Sequence, residues 1–456
     1  MAYSVLGIFI CRSFLKMSFA MDEVSFSGVI IALCIVVSLF IYVRMLTKNK
    51  QPYPPGPWSL PILGNLLQLG DHPYVFFDQM RKKYGDVFQI QLGMVPVVVV
   101  NGLHAARHVL LKDGESFAGR PDILSFSVKF GESWNLQKKV AAKALKSLAK
   151  SEARSSTCSC LLEEHVCAEA SERMKTFLEL SKKGSFDPVA ATTCTVANVV
   201  SALCFGKRYS QCDEEFLSII QMSHGLIKFN NFLAQHVKDH YVTYGKASTY
   251  DKIRLTVGIE KCFSIAYCFG TLSSCLQWIF LYLTNNPEIQ MKIQEEIGNA
   301  FVAPKFEDRK DLHYTEAFIN EVFRHSSFIP FTKPHCTTKD TVLNGYYIPQ
   351  NTCIFINMYQ VNHDENLWID PDIFKPQRFL NENGEFNKSL IEKILIFGIG
   401  LRKCLGEEIF LILTTILQQL RLEKLFEDQL EITPVYGLSM TPKKPQRMQI
   451  YQFYSA

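Results

Sequence analysis

The chain has 456 residues, 48% of them hydrophobic and 20% charged, so it can bury a large core and is too apolar to be disordered. A formal net charge of +4 over that length, with no basic run interleaved with aromatics, argues against nucleic acid as a partner. The fourteen cysteines include no CxxC pair followed by a second pair or by HxxxH, which argues against zinc, and a chain of this size needs no disulfides.

Met1 to Ala20 is weakly apolar and interrupted by Arg12 and Lys16, and nothing in it assigns a role. Between Glu23 and Arg44 every residue is uncharged, with "GVIIALCIVVSLFIYV" filling most of the interval. As a helix this spans about 30 Å, the thickness of a bilayer core. Asp22 and Glu23 precede it, whereas Arg44, Lys48 and Lys50 follow it, so the positive-inside tendency places the rest of the chain in the cytoplasm. A cleaved signal peptide fits less well, because the run is long and no small-residue cleavage site follows. The expected organisation is a membrane anchor with a basic flank over residues 1–50 and one domain over 51–456. Pro52, Pro54, Pro55 and Pro57 open that domain with an extended, stiff hinge.

"DVFQIQLGMVPVVVVNG" alternates and is rich in valine, which predicts a strand pair near Asp86 to Val100. From about Trp134 helical patterns prevail. Lys139, Lys143, Lys146 and Lys150 recur at spacings of four, three and four, making one basic helix stripe: either a solvated face or a dock for an acidic partner. Cys262 to Pro287 carries no charge. Its serines, threonine and glutamine, with a helix start at Asn286-Pro287-Glu288, favour a buried helix over a second membrane span. Glu321 and Arg324 lie three apart on one helix face and can pair. Strand-like pieces return in "VLNGYYIPQNTCIFIN".

The stretch "IFGIGLRKCLGEE" sets Cys404 among Gly398, Gly400 and Gly406, with Arg402 two residues before it and an apolar helical run after it. Glycines let the backbone approach a bulky group, arginine neutralises an anion, and a helix N-terminus favours a thiolate. One cysteine with no second ligand suits haem better than zinc.

"FGIGLRKCLG" resembles the haem-binding loop of the cytochrome P-450 family, Phe-x-x-Gly-x-Arg-x-Cys-x-Gly, at all five fixed places: Phe397, Gly400, Arg402, Cys404 and Gly406. The Glu-x-x-Arg helix and "FKPQRF" agree with it, and the likeness runs from the proline hinge to the carboxyl terminus. "FRHSSFIPFTKPHCTTKD" and "LNGYYIP" are most similar to the first family of animal microsomal enzymes, which oxidise polycyclic aromatic compounds and oestrogens.

The resemblance implies a mostly α fold with a small β-rich lobe, behind an N-terminal transmembrane helix. It implies a haem-dependent monooxygenase on the cytoplasmic side of the endoplasmic reticulum membrane. Haem b would be the cofactor, with Cys404 its axial iron ligand. Trp134, Lys138, His335 and Arg402 would contact the haem propionates. Glu321, Arg324 and Arg378 would form a buried structural network behind the haem. Electrons would come from an NADPH-dependent flavoprotein reductase, with cytochrome b5 as a second donor, and the substrates would be O2 and a small apolar molecule.

The chain departs from the family in the oxygen helix. Thr271 falls at the threonine of the proton relay, but Gly270 replaces the acid, and Tyr267 and Cys268 occupy the two small positions. Losing the carboxylate removes the natural proton donor. Lys138 stands where the family has arginine, and the loops between Pro121 and Trp134 and around "QMSHGLIKFNNFLAQH" are short. A haem-thiolate isomerase acting on peroxides, or a catalytically impaired haem-binding relative, are the rival expectations.

Overall fold

The structure is a computed structural model describing residues 52–121, 131, 132, 134–136, 138, 139, 162–205, 208–210, 213, 214, 270–298, 304–404, 409–424, 432–437, 439–443 and 447–453, with Gly28, Ile31, Ile35, Ser38 and Leu39. The described part of the long helical stretch near Trp134 is short, and Lys143, Lys146 and Lys150 lie outside the described residues. So do Tyr267, Cys268 and Gly406.

The chain divides into two units, Met1–Tyr53 with Gly345–Tyr347, and Pro54–Asn344 with Ile348–Ala456. In the first, the Tyr347 N–H donates to the Pro52 carbonyl at 2.9 Å, and the Tyr53 and Tyr347 rings meet edge to face at 5.6 Å. The five described residues of the N-terminal apolar interval are helical and exposed; the rest of that predicted anchor lies outside the described residues.

In the second unit, α1 (Pro73–Tyr84) begins with proline at its first turn, where a missing N–H costs nothing, and ends at Gly85 with φ 87°. The valine-rich segment forms β1 (Val87–Leu92) and β2 (Val95–Val100), paired antiparallel as the alternation predicts. Then come α2 (Leu103–Arg107), a π-helical turn His108–Lys112, and the helices α3 (Leu162–Lys182) and α4 (Val189–Phe205). Residues 270–285 form α5, and Asn286 breaks it before α6 (Pro287–Gly298). α7 (His313–Ser326) and α8 (Ile409–Gln419) complete the helical layer.

The sheet gains β3 (His335–Cys336) and β4 (Cys353–Ile356), in the order β1-β2-β4-β3. β4 runs parallel to β2, with Val97 opposite Cys353, and β3 runs antiparallel to β4. β5 (Leu420–Lys424) and β6 (Met448–Gln452) form a separate ribbon. Phe177, Trp278, Leu283, Ile293, Phe318 and Leu413 belong to one interhelical core, while Phe77, Phe88, Val97 and Val99 pack a smaller core against the sheet.

The uncharged stretch before Pro287 is, where described, a helix in the interior: Ser273 to Leu276 and Trp278 to Thr284 are buried. Its polar groups are satisfied inside the protein, Thr193 with Ser273 at 2.8 Å and Ser274 with Ser439 at 2.7 Å. Among the described residues no helix is long and apolar enough to cross a membrane.

Candidate active site

The loop carrying Cys404 is shaped by three left-handed residues. Leu395, Gly398 and Gly400 have φ of 59°, 63° and 73°. The Gly398 N–H donates to the Leu395 carbonyl at 2.8 Å, and the Cys404 N–H closes the loop on the Phe397 carbonyl at 2.7 Å. At Gly400 a Cβ would sit 2.1 Å from the carbonyl oxygen of Leu110, in the π-helical turn, so only glycine lets the two backbones pass. The Phe397 ring lies edge-on to Phe323 of α7 at 5.5 Å, which fastens the loop to the helical core.

Six cysteines have described side chains, and all six are free. Cys404 is the exposed one; the other five are buried or half-buried. Burial pushes the thiols of Cys167, Cys194, Cys275, Cys336 and Cys353 up, which keeps them protonated. Among the described side chains, only Cys404 therefore combines an open sulfur with a glycine-shaped loop.

Beside the loop stands a cluster of cations. The Trp134 ring contacts two of them, with the Arg402 guanidinium 4.0 Å and the Lys138 ammonium 5.3 Å from its centroid. Lys138 Nζ donates to the Leu401 carbonyl, tying the helical segment at 132–139 to the loop. Arg402 grips the Ala118 carbonyl through Nε at 3.0 Å and Nη2 at 2.8 Å. Arg120 donates from Nη1 to the Pro334 carbonyl at 2.9 Å. Burial, then the charge of Arg120, pushes the Arg402 guanidinium down to about 9; burial, then Arg402 and Lys403, pushes Lys138 down.

His335 is buried against the same cluster. Desolvation and the neighbouring Arg120 push it down to about 3, so the ring is neutral. Its Nδ1 lies 3.0 Å from the Phe117 carbonyl and must carry the proton, because a carbonyl only accepts. Nε2 is then an acceptor, and it meets an anion only after gaining a second proton. The donor set fits the haem implied by the resemblance. An anionic group among mutually repelling, desolvated cations relieves their cost, and an exposed thiol adjoins them.

Behind the loop, Glu321 and Arg324 on α7 have wholly buried side chains. Arg324 donates to Glu321 from Nε and Nη2, both at 2.8 Å, and to the carbonyls of Asn362 and Pro371. Glu321 Oε1 also accepts from the Lys375 N–H at 2.8 Å and from Arg378 Nε at 3.0 Å. Arg378 spends its remaining donors on the carbonyls of Ile369, Asp370 and Ile373. Arg324 and Glu321 are thus held wholly by protein groups, as a structural tie rather than a substrate site.

The third element is α5. Gly270 is exposed and Thr271 half-buried at its described start. A Cβ added at Gly270 meets none of the described residues within 4 Å.

The structure thus brings Trp134, Lys138, Arg402 and His335 to one place, and Glu321, Arg324 and Arg378 to another. It adds Leu110, Ala118 and Arg120, which no sequence spacing singles out, since their partners lie far along the chain.

Comparison with known proteins agrees with this arrangement. The family model described as cytochrome P450 matches residues 54–249 and 268–448. Cytochrome P450 1A1 of Cavia porcellus is 38% identical over 479 residues, covering 89% of this chain and 93% of the relative. Cytochrome P450 1A5 of Gallus gallus is 37% identical over 519 residues, covering 95% and 98%. Cytochrome P450 1A1 of Oncorhynchus mykiss is 38% identical over 490 residues, covering 91% and 94%. Alignments longer than the chain itself mean that these relatives carry internal segments it lacks. With its fold, its loop and its matches in accord, the chain belongs to the cytochrome P450 family, haem-dependent monooxygenases whose cofactor is haem b.

Proposed function

We infer that the protein is a membrane-anchored haem-thiolate monooxygenase. It takes electrons from NADPH through a flavoprotein reductase and inserts one oxygen atom of O2 into a small planar aromatic or steroid-like substrate. The observation that carries this reading is Cys404, the one exposed cysteine among the described side chains, held on a loop locked by Gly400, Phe397 and Arg402. Haem b bound there supplies activation of O2, one atom entering the substrate and the other leaving as water.

The residues divide the remaining work. Cys404 would be the iron ligand, its position set by the loop that Phe397 fastens to the helical core. Arg402 and Lys138 hold the propionates, with Trp134 in contact with both cations and His335 holding Phe117 in place. Glu321, Arg324 and Arg378 keep the wall behind the site rigid. Thr271 hands on protons at the oxygen side, and Gly270 leaves that hand-off without its carboxylate. The lysine spacing at 139, 143, 146 and 150 suits docking of an acidic reductase as well as it suits a solvated face.

Turnover of a planar aromatic ether with reductase and NADPH tests this reading directly. A positioned general acid is worth about 10²–10⁴-fold, so the protein should consume more NADPH than it forms product. Gly270→Asp should raise product per NADPH several-fold, because it restores the carboxylate. A protein already tightly coupled would overturn the assignment of Gly270. The missing acid also favours a second reading, an isomerase acting on peroxides, which would turn over a hydroperoxide without NADPH and show no NADPH-driven product.

Ile31, Ile35 and Leu39, helical, exposed and four apart, support the anchor. Deleting Met1 to Lys50 should release much of the protein from membranes while leaving its haem content unchanged. Residual attachment is expected through the exposed Trp58, Ile62, Leu67 and Met94. Protease protection of the haem domain in sealed microsomes would contradict a cytoplasmic orientation.

A further inference from the structure

β3 is two residues long and lies at the edge of the sheet, and its register puts Cys336 directly opposite Cys353 on β4. The Cys336 N–H turns away from β4, donating to the Gly119 carbonyl at 3.0 Å, whereas the Thr337 N–H turns back to the Thr352 carbonyl at 3.0 Å. Hydrogen bonding alternates along an antiparallel ladder, so Cys336 and Cys353 form a pair without mutual backbone bonds. In such pairs the Cα atoms lie about 4.5 Å apart and the side chains stand close on one face. That separation falls within the span of about 4.4–6.8 Å that a disulfide bridges. Both thiols are free and buried, and each lies within the other's electrostatic reach.

We propose that Cys336 and Cys353 are a redox-modification site, a cross-strand dithiol that closes to a disulfide when an oxidant of the disulfide class reaches it. One thiolate attacks the oxidant's S–S bond and displaces a thiolate from it. The second cysteine, deprotonated, attacks the mixed disulfide, forms the Sγ–Sγ bond and displaces the other thiolate. Two electrons pass to the oxidant, and the two protons leave on its thiols.

The surroundings set the pace. Burial, reinforced by Cys336, pushes the Cys353 thiol up to about 12, and Arg120 offsets this only in part. Attack therefore waits for the edge strand to open. A two-residue edge strand opens at far lower cost than the whole fold. In a reducing compartment the pair rests as thiols. Once closed, the link fastens β3, which carries His335, to β4. β3 also abuts Gly119, where a Cβ would meet the Cys336 carbonyl at 2.5 Å, and Gly119 follows the residue that receives Arg402. The proposal does not depend on the activity assigned above.

The experiment equilibrates the full-length holoprotein in reduced and oxidised glutathione, blocks free thiols, and maps an unreduced digest by mass spectrometry. The expected result is a peptide pair joined through Cys336 and Cys353, forming faster at pH 9 than at pH 7 and lost with dithiothreitol. Closing a loop of this size should raise the melting temperature by about 3 °C. Cys336→Ser and Cys353→Ser should each abolish both the linked peptide and the rise. Both cysteines remaining alkylatable in the oxidising buffer, or each ending as a glutathione adduct, would overturn the proposal.

Discussion

Cys404→Ala is expected to abolish the red-shifted carbon monoxide band of thiolate-ligated haem, and with it all NADPH-driven turnover. Among the described side chains no other cysteine offers an open thiol. The five others are buried or half-buried, and burial holds them protonated. Substituting any of those five with serine should leave the band intact. A spectrum of the reduced, carbon monoxide-treated variant decides the matter: persistence of the thiolate band would overturn the assignment of Cys404.

Glu321→Ala should destabilise the fold by about 3–5 kcal/mol, the cost of stranding a buried charge without its partner. The carboxylate accepts from both arms of Arg324, from Arg378 and from the Lys375 N–H, and its side chain is wholly buried. Removing it leaves the Arg324 guanidinium with carbonyls alone. Glu321→Gln retains an acceptor and should cost less. Chemical denaturation of both variants measures this. Haem content should fall with stability, while the folded, haem-loaded fraction keeps its turnover. A Glu321→Ala protein of unchanged stability but low turnover would instead give the residue a catalytic part.

Features encoded within a few residues could be read before the structure. The strand pair at 87–100 follows from alternation and valine, and the break at Asn286-Pro287 from proline at a first helical turn. Glu321 and Arg324 were legible as a pair because helical spacing fixes one face. Nothing local, however, says that the pair is buried or that Lys375 completes it. The loop itself was legible through its resemblance, but the reason Gly400 must be glycine lies in Leu110, nearly three hundred positions earlier. Arg120 escaped for the same cause, since its importance comes from lying beside Arg402 and His335. His335 was legible as a neighbour of the cations. Its neutral state follows from burial, which spacing cannot express.

The distance along the chain between Gly400 and Leu110, and between Arg402 and Ala118, also bears on how the protein is made. The loop that presents Cys404 emerges from the ribosome nearly three hundred residues after the segment it must lie against. β2 likewise waits some 250 residues for β4, its parallel neighbour. Contacts of such separation form slowly, because loop closure comes before the reward. While those residues are being made the valine-rich hairpin therefore has an unpaired edge, and the cofactor has no place to sit. Haem loading should accordingly be post-translational, and chaperones that shield sheet edges should govern yield more than haem supply does.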